Sequence, residues 1–154
     1  MIEQLIQVLR QKKWKIATVE SVTGGLIAST LVSIPHASDV FSEGFITYTS
    51  EEKVKILGLN QAWLLSYDVV SEKIALEMAK ALKKKTYANI VVSTTGYAGP
   101  TTGNKKIPVG TICYSIGIEN QWITETMVFQ GSRNEIREAA CQHILKRIYD
   151  LVKE

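Results

Sequence analysis

What most constrains this chain is the order in which two hydrophobic periods follow one another along it. Ile2, Leu5, Ile6 and Leu9 fall at helical spacing, and Lys15–Val19 then reads as a short strand. A glycine-bearing turn, Glu20-Ser21-Val22-Thr23-Gly24-Gly25, leads into an apolar helix from about Leu26 to Ser33. Phe45–Tyr48 reads as a second strand, and Thr49-Ser50-Glu51-Glu52 has the form of a capping box opening a helix through Leu57. Ser71 can cap a further helix, whose stripe is Ile74, Met78 and Leu82 with Ala75 and Ala79 beside it. Asn89–Thr95 is a β-rich run ending in Gly96, and Gly96–Pro108 is a Gly/Pro/Thr-rich irregular loop. Val109–Ile118 and Gln121–Gln130 are strand-like runs joined through Gly117–Asn120 as a hairpin. Ser132-Arg133-Asn134-Glu135 has capping-box form, and Ile136, Ala140, Ile144, Ile148 and Leu151 mark a closing helix. Strands alternating with helices, with one late hairpin, predict a mixed sheet covered by helices on both faces.

The 154 residues suit one domain able to build its own core, and no linker or internal repeat divides them. The net charge of +3, from 18 basic and 15 acidic residues, is too mild and scattered for a dedicated nucleic-acid binder. Lys83-Lys84-Lys85 and the Lys12, Lys13, Lys15 group sit near predicted helix ends, where cations suit the macrodipole. Cys113 and Cys141 show no metal-ligand spacing, and buried free thiols in a reducing compartment are the expectation. Neither a signal-peptide stretch nor a membrane-length apolar window is present, so no membrane association and a cytoplasmic location are expected.

Three segments carry candidate chemistry. Ser21–Gly25 places hydroxyls and unencumbered N–H groups at a helix start, where an anion such as a phosphate is favoured, although a plain capped turn would have the same residues. It matches neither the dinucleotide fingerprint nor a Walker loop. Thr95-Gly96-Tyr97-Ala98-Gly99-Pro100 leaves the end of a predicted central strand, the place where α/β sheets collect ligands. Tyr48 and Lys53 bracket a strand-to-helix passage close enough to share one site. A lysine held out of water can lose its proton and serve a serine as base, though most lysines at such positions are solvated. Ser50-Glu51-Glu52-Lys53 matches an S-x-x-K string, but no S-D-N or K-T-G follows and Ser50 is better read as a helix cap. His36 and His143 have no partners that would recruit them to a triad or a metal site.

Taken together, Glu20–Gly25, Phe41 through Gly44 to Tyr48 and Lys53, Thr95–Pro100, Pro108-Val109-Gly110-Thr111 and Gly131-Ser132-Arg133 with Ile136-Arg137 resemble the competence-damage-inducible protein A C-terminal family. The resemblance spans nearly the whole chain, in the form of a stand-alone domain. It implies a three-layer α/β/α fold with a mainly parallel mixed sheet, commonly assembled as a homo-oligomer. It further implies an amidohydrolase that converts nicotinamide mononucleotide and water to nicotinate mononucleotide and ammonia, with no cofactor and no metal.

The family's site residues fall on Ser21, Ser38, Tyr48, Lys53 and Thr95. In the reading they support, Lys53 assisted by Tyr48 accepts a proton, Ser21 or Ser38 is the nucleophile, and the Thr95 region offers oxyanion donors. Thr23, Gly24, Gly25, Gly96, Gly99, Arg133 and Arg137 are the candidates for holding substrate, with an arginine and the Gly24-Gly25 helix start on the 5′-phosphate. Three departures from the family's usual pattern stand out: Val19 and Val22 around the first serine, Thr101 and Thr102 where glycines are usual, and Ser132 where Asp is usual. The rival reading is a non-catalytic nucleotide-binding or regulatory module linked to competence or DNA damage.

Overall fold

A computed structural model describes residues 1–154. In chain order the elements are α1 (Ile2–Lys12), β1 (Ile16–Glu20), α2 (Leu26–Val32), a single 3₁₀ turn (Ala37–Asp39), β2 (Phe41–Ile46), α3 (Ser50–Leu57), α4 (Gln61–Ser66), α5 (Glu72–Lys85), β3 (Ile90–Gly96), β4 (Thr111–Ile118), β5 (Gln121–Val128) and α6 (Arg133–Val152). The strands form one sheet in the order β2-β1-β3-β4-β5. β1 pairs in parallel with both β2 and β3, while β3–β4 and β4–β5 are antiparallel. Four strands therefore point one way and β4 alone is reversed, an α/β fold with a mixed sheet.

The pleat sorts the core into two layers. From one face Ile16, Ile90, Val92 and Ile116 meet Leu5 and Leu9 of α1, Ile27 and Leu31 of α2, and Ile144 and Ile148 of α6. From the other, Ala17, Val19 and Val91 meet Ile74, Met78 and Leu82 of α5, with Leu57 of α3 joining them. Each of these large aliphatic side chains contributes about 1.5–3 kcal/mol by leaving water. β1 and β3 are covered on both sides, which is why they read as continuous apolar or β-branched runs.

The caps agree with their residues. Thr49 Oγ1 accepts the Glu52 amide at 3.2 Å, Ser71 Oγ accepts that of Ile74 at 3.2 Å, and Ser132 forms a reciprocal box with Glu135. Ser50 is the first helical residue of α3 rather than its cap, a role that Thr49 fills. β2 begins at Phe41 and stops at Ile46, so Thr47 and Tyr48 lie beyond the ladder. On this edge strand Ser42, Glu43 and Gly44 break the apolar signal between the two phenylalanines. α4 carries no buried residue, so a six-residue helix of this kind leaves no stripe to read. Both cysteines are buried and free. No helix is long and apolar enough to cross a membrane.

Candidate active site

The carboxyl ends of β1, β2 and β3 reach one rim of the sheet, where Glu20 stands opposite Ile46 on one side and Thr94 on the other. Three chain segments leave that rim together: the Ser21–Gly25 turn, the Thr47–Thr49 passage into α3, and the Gly96–Gly110 loop. They enclose a cavity of about 330 Å³ whose lining includes Ser21, Val22, Tyr48, Lys53, Thr95, Gly96, Tyr97, Gly99, Thr101 and Arg133.

At its floor Lys53, only 1 % exposed, extends Nζ from α3 to within 3.0 Å of Ser21 Oγ. The same amine donates to the carbonyl of Thr47 at 2.9 Å and, more loosely, to that of Tyr48 at 3.4 Å. Ser21 Oγ in turn donates to the Tyr48 carbonyl at 3.2 Å. No carboxylate pairs with Lys53. Burial therefore acts unopposed on its charged form and lowers its pKa from 10.5 to about 8. The residue reaches this place because β2 is the sheet's edge and α3 starts immediately beyond it, with Thr49 fixing the first turn.

Tyr48 contributes to this cluster through its carbonyl, not its hydroxyl. The phenol is at the mouth, more than half exposed, and accepts a 2.8 Å hydrogen bond from Arg133. Arg133 also donates to the Gly99 carbonyl at 2.7 Å, joining the start of α6 to the glycine loop. Thr95 borders the cavity, but its hydroxyl donates to the Val69 carbonyl at 2.8 Å and is not a free oxyanion donor. The backbone amide of Val22, next to Ser21, has no acceptor within the chain.

Other expected residues are placed elsewhere. Ser38 lies in the 3₁₀ turn before β2, where Lys15 Nζ approaches its carbonyl at 3.5 Å. That is the opposite end of β1 and β2, about 16 Å from Ser21 at ~3.3 Å of rise per residue, so within one chain Ser38 does not join the Ser21–Lys53 pair. The Gly24-Gly25 helix start is also unavailable as an anion cradle in this arrangement. The buried Glu20 carboxylate occupies it, accepting the amides of Ile27 at 2.9 Å and Ala28 at 3.1 Å. Gly24 and Gly25, with φ of 57° and 97°, serve the turn itself.

Thr23 is fully buried and its hydroxyl pairs with that of Thr94 at 2.8 Å. Arg137 is spent on the same turn. It donates to the carbonyls of Val22 and Thr23, both at 3.0 Å, and to Asn134 Oδ1. Of the two arginines, Arg133 is the one that borders the cavity.

Val22 packs with Ala98, Ile112, Ile136 and Ala140 while also lining the cavity, and Thr101 forms part of the rim. Ser132 is the N-cap of α6, a task that Asp performs equally well. Sequence reading passed over Glu20 as a functional residue, and Asp68, Val69 and Tyr97 with it. Glu20 could have been suspected as a charged residue ending an otherwise apolar strand. Locally Asp68 shows only a turn, its carboxylate accepting the Val70 amide, because the side chains it pairs with lie 29 and 36 residues further along.

Against known proteins, residues 1–152 match the family model of the CinA C-terminal domain. A putative competence-damage inducible protein of Caldicellulosiruptor saccharolyticus is 40% identical over 93% of this chain, and a CinA-like protein of Thermotoga neapolitana is 38% identical over all of it. The chain spans about a third of the length of these curated relatives, 35% and 38% respectively. Among solved structures, a competence-damaged protein (CinA) superfamily protein from Escherichia coli superposes with a TM-score of 0.92 at 34% identity, covering 98% of this chain and 90% of that one. The competence/damage inducible protein CihA from Agrobacterium tumefaciens gives 0.89 at 33% identity, covering 97% and 94%.

Proposed function

The chain belongs to the CinA C-terminal domain family, and on that premise we propose that it is an amidohydrolase that deamidates nicotinamide mononucleotide. The observation that carries the proposal is the buried Lys53 amine 3.0 Å from Ser21 Oγ in a cavity open to solvent. As a neutral amine, Lys53 has two N–H bonds, and the Thr47 and Tyr48 carbonyls can accept both. Its lone pair is then left facing Ser21. This is the arrangement a lysine needs to take the serine proton.

In the reaction proposed, Ser21 Oγ attacks the carboxamide carbon as its proton passes to Lys53. The Val22 amide stands beside the developing oxyanion. Lys53 returns the proton to the departing nitrogen, and ammonia leaves as the C–N bond breaks. Water, deprotonated by Lys53, then attacks the acyl-serine, releases nicotinate mononucleotide and restores the Ser21 hydroxyl. The pyridinium ring draws electrons from its carboxamide and eases both attacks. Arg133 is the proposed contact for the 5′-phosphate, and the assembly proposed is a homo-oligomer, which sedimentation velocity tests.

The decisive assay is ammonia release by purified protein given nicotinamide mononucleotide, its riboside or free nicotinamide, before and after chelation of metals. The mononucleotide is expected to be the preferred substrate, with activity unchanged by chelation. Tight binding of the mononucleotide with no ammonia released would instead favour a regulatory module.

A further inference from the structure

Tyr97 forms one wall of the cavity, and its hydroxyl donates a 2.9 Å hydrogen bond to Asp68 Oδ1. The carboxylate is held from behind. Oδ1 also accepts the Val70 amide at 2.8 Å, and Oδ2 accepts Asn104 Nδ2 at 3.0 Å. Tyr97 thus sits between the cavity and a fixed negative charge. Burial first, then the hydrogen bond and charge of Asp68, push the Tyr97 hydroxyl up to about 12.

The charges around the cavity make this pair unusual. The charged side chains among the lining residues, Lys53 and Arg133, are both basic, and none is a carboxylate. Such a cavity by itself repels a cationic ring. Asp68 is the carboxylate hydrogen-bonded to a lining side chain, and a phenol that donates to a carboxylate carries more electron density on its ring. That strengthens the attraction of its π-face for a cation.

Resting on the nucleotide reading above, we propose that the Tyr97–Asp68 pair is a specificity determinant that selects ligands with a cationic aromatic ring over neutral-ring counterparts with the same phosphate. The cavity is then dipolar, with Arg133 on the anionic end of the ligand and Tyr97 backed by Asp68 beside its cationic ring. Neither residue takes part in bond making.

The test is calorimetric binding of nicotinamide mononucleotide and its reduced, neutral-ring form, with the parent protein and each variant compared in a Lys53→Met background so that the amide persists. The oxidised form should bind about tenfold tighter, a cation–π-sized preference. Asp68→Asn and Tyr97→Leu should each reduce that ratio to within about twofold of unity. Tyr97→Phe keeps the ring and packing while losing the hydroxyl, and should give an intermediate ratio even if Asp68→Asn loosens the loop. An unchanged ratio in folded Tyr97→Leu and Tyr97→Phe overturns this proposal and leaves the amidase reading standing. Failure of the Lys53→Met protein and of wild type to bind either nucleotide overturns both.

Discussion

The two glycine-bearing segments of the site rim, Ser21–Gly25 and Gly96–Gly110, have similar compositions and opposite designs. The first is closed by the chain itself: Glu20 occupies the α2 start and Arg137 ties down two of its carbonyls. The second stands open, contributing Gly96, Tyr97, Ala98, Gly99 and Thr101 to the cavity, and is tied down through Arg133 and Asp68. A glycine turn at a helix start is an anion site only while no internal carboxylate occupies it. What looks like a phosphate cradle is here a rigid support for a serine, while the other loop keeps its residues on the cavity wall.

Removing the Lys53 amine tests that division most severely. Lys53→Met should lower kcat by about 10² or more, the scale of general-base loss, while the nucleotide still binds, because neither segment depends on the amine for its walls. In the wild type, turnover should rise with pH through about 8, since the neutral amine is the active form and Lys53 holds a proton below that value. A folded Lys53→Met protein with near wild-type turnover would end the serine–lysine mechanism.

The arginines sharpen the comparison next. Arg133→Ala should raise KM for the mononucleotide about tenfold or more, consistent with loss of one charge-assisted contact worth about 1.5–3 kcal/mol, and should affect the riboside much less, only through the loosened Gly99 and Tyr48 contacts. Arg137→Ala should behave in the opposite way, lowering the melting temperature while preserving the preference for the phosphorylated substrate. Steady-state kinetics with both substrates separate the two, and interchanged behaviour would place the phosphate at the first turn after all.

Glu20→Gln is the mildest perturbation. It keeps one oxygen for the Ile27 or Ala28 amide and brings an N–H₂ against the other donor, so about 1–3 kcal/mol of stability should be lost. For a chain of this size, that corresponds to several degrees in Tm by calorimetry. KM for the mononucleotide should stay within about threefold. A marked improvement in affinity on removing this charge would mean that Glu20 had been competing with the ligand's phosphate.

These contrasts also show what a linear reading can reach. Capped helices and apolar stripes were legible because cap and stripe lie within a few residues of one another, as at Ser71–Ile74 and along Ile136–Ile148. β2 was only half legible, since an edge strand with one open face has no need of continuous apolar residues. Ser21 and Ser38 stand as alternative partners for Lys53 in the sequence, and two details depend on where strands end in space. Ser38 precedes β2 and so falls at its amino end, whereas Lys53 follows β2 and falls at the rim. Tyr48 lies just outside the ladder, so its carbonyl turns toward Lys53 and its phenol toward Arg133.

The single reversed strand has a consequence for how such a site tolerates change. The chain leaves β3 at the rim, descends β4 and returns along β5, so α6 begins at the same rim from which it departed. Two passes have even parity: a hairpin can be lengthened, shortened or lost without sending Arg133 to the far end of the sheet. Its presence shifts the α6 entry sideways by two strand spacings, about 10 Å. An insertion of one strand, or of three, would strand the arginine on the side where Ser38 lies. Parity, rather than sequence length, is what keeps residues 21, 53 and 133 within reach of one cavity.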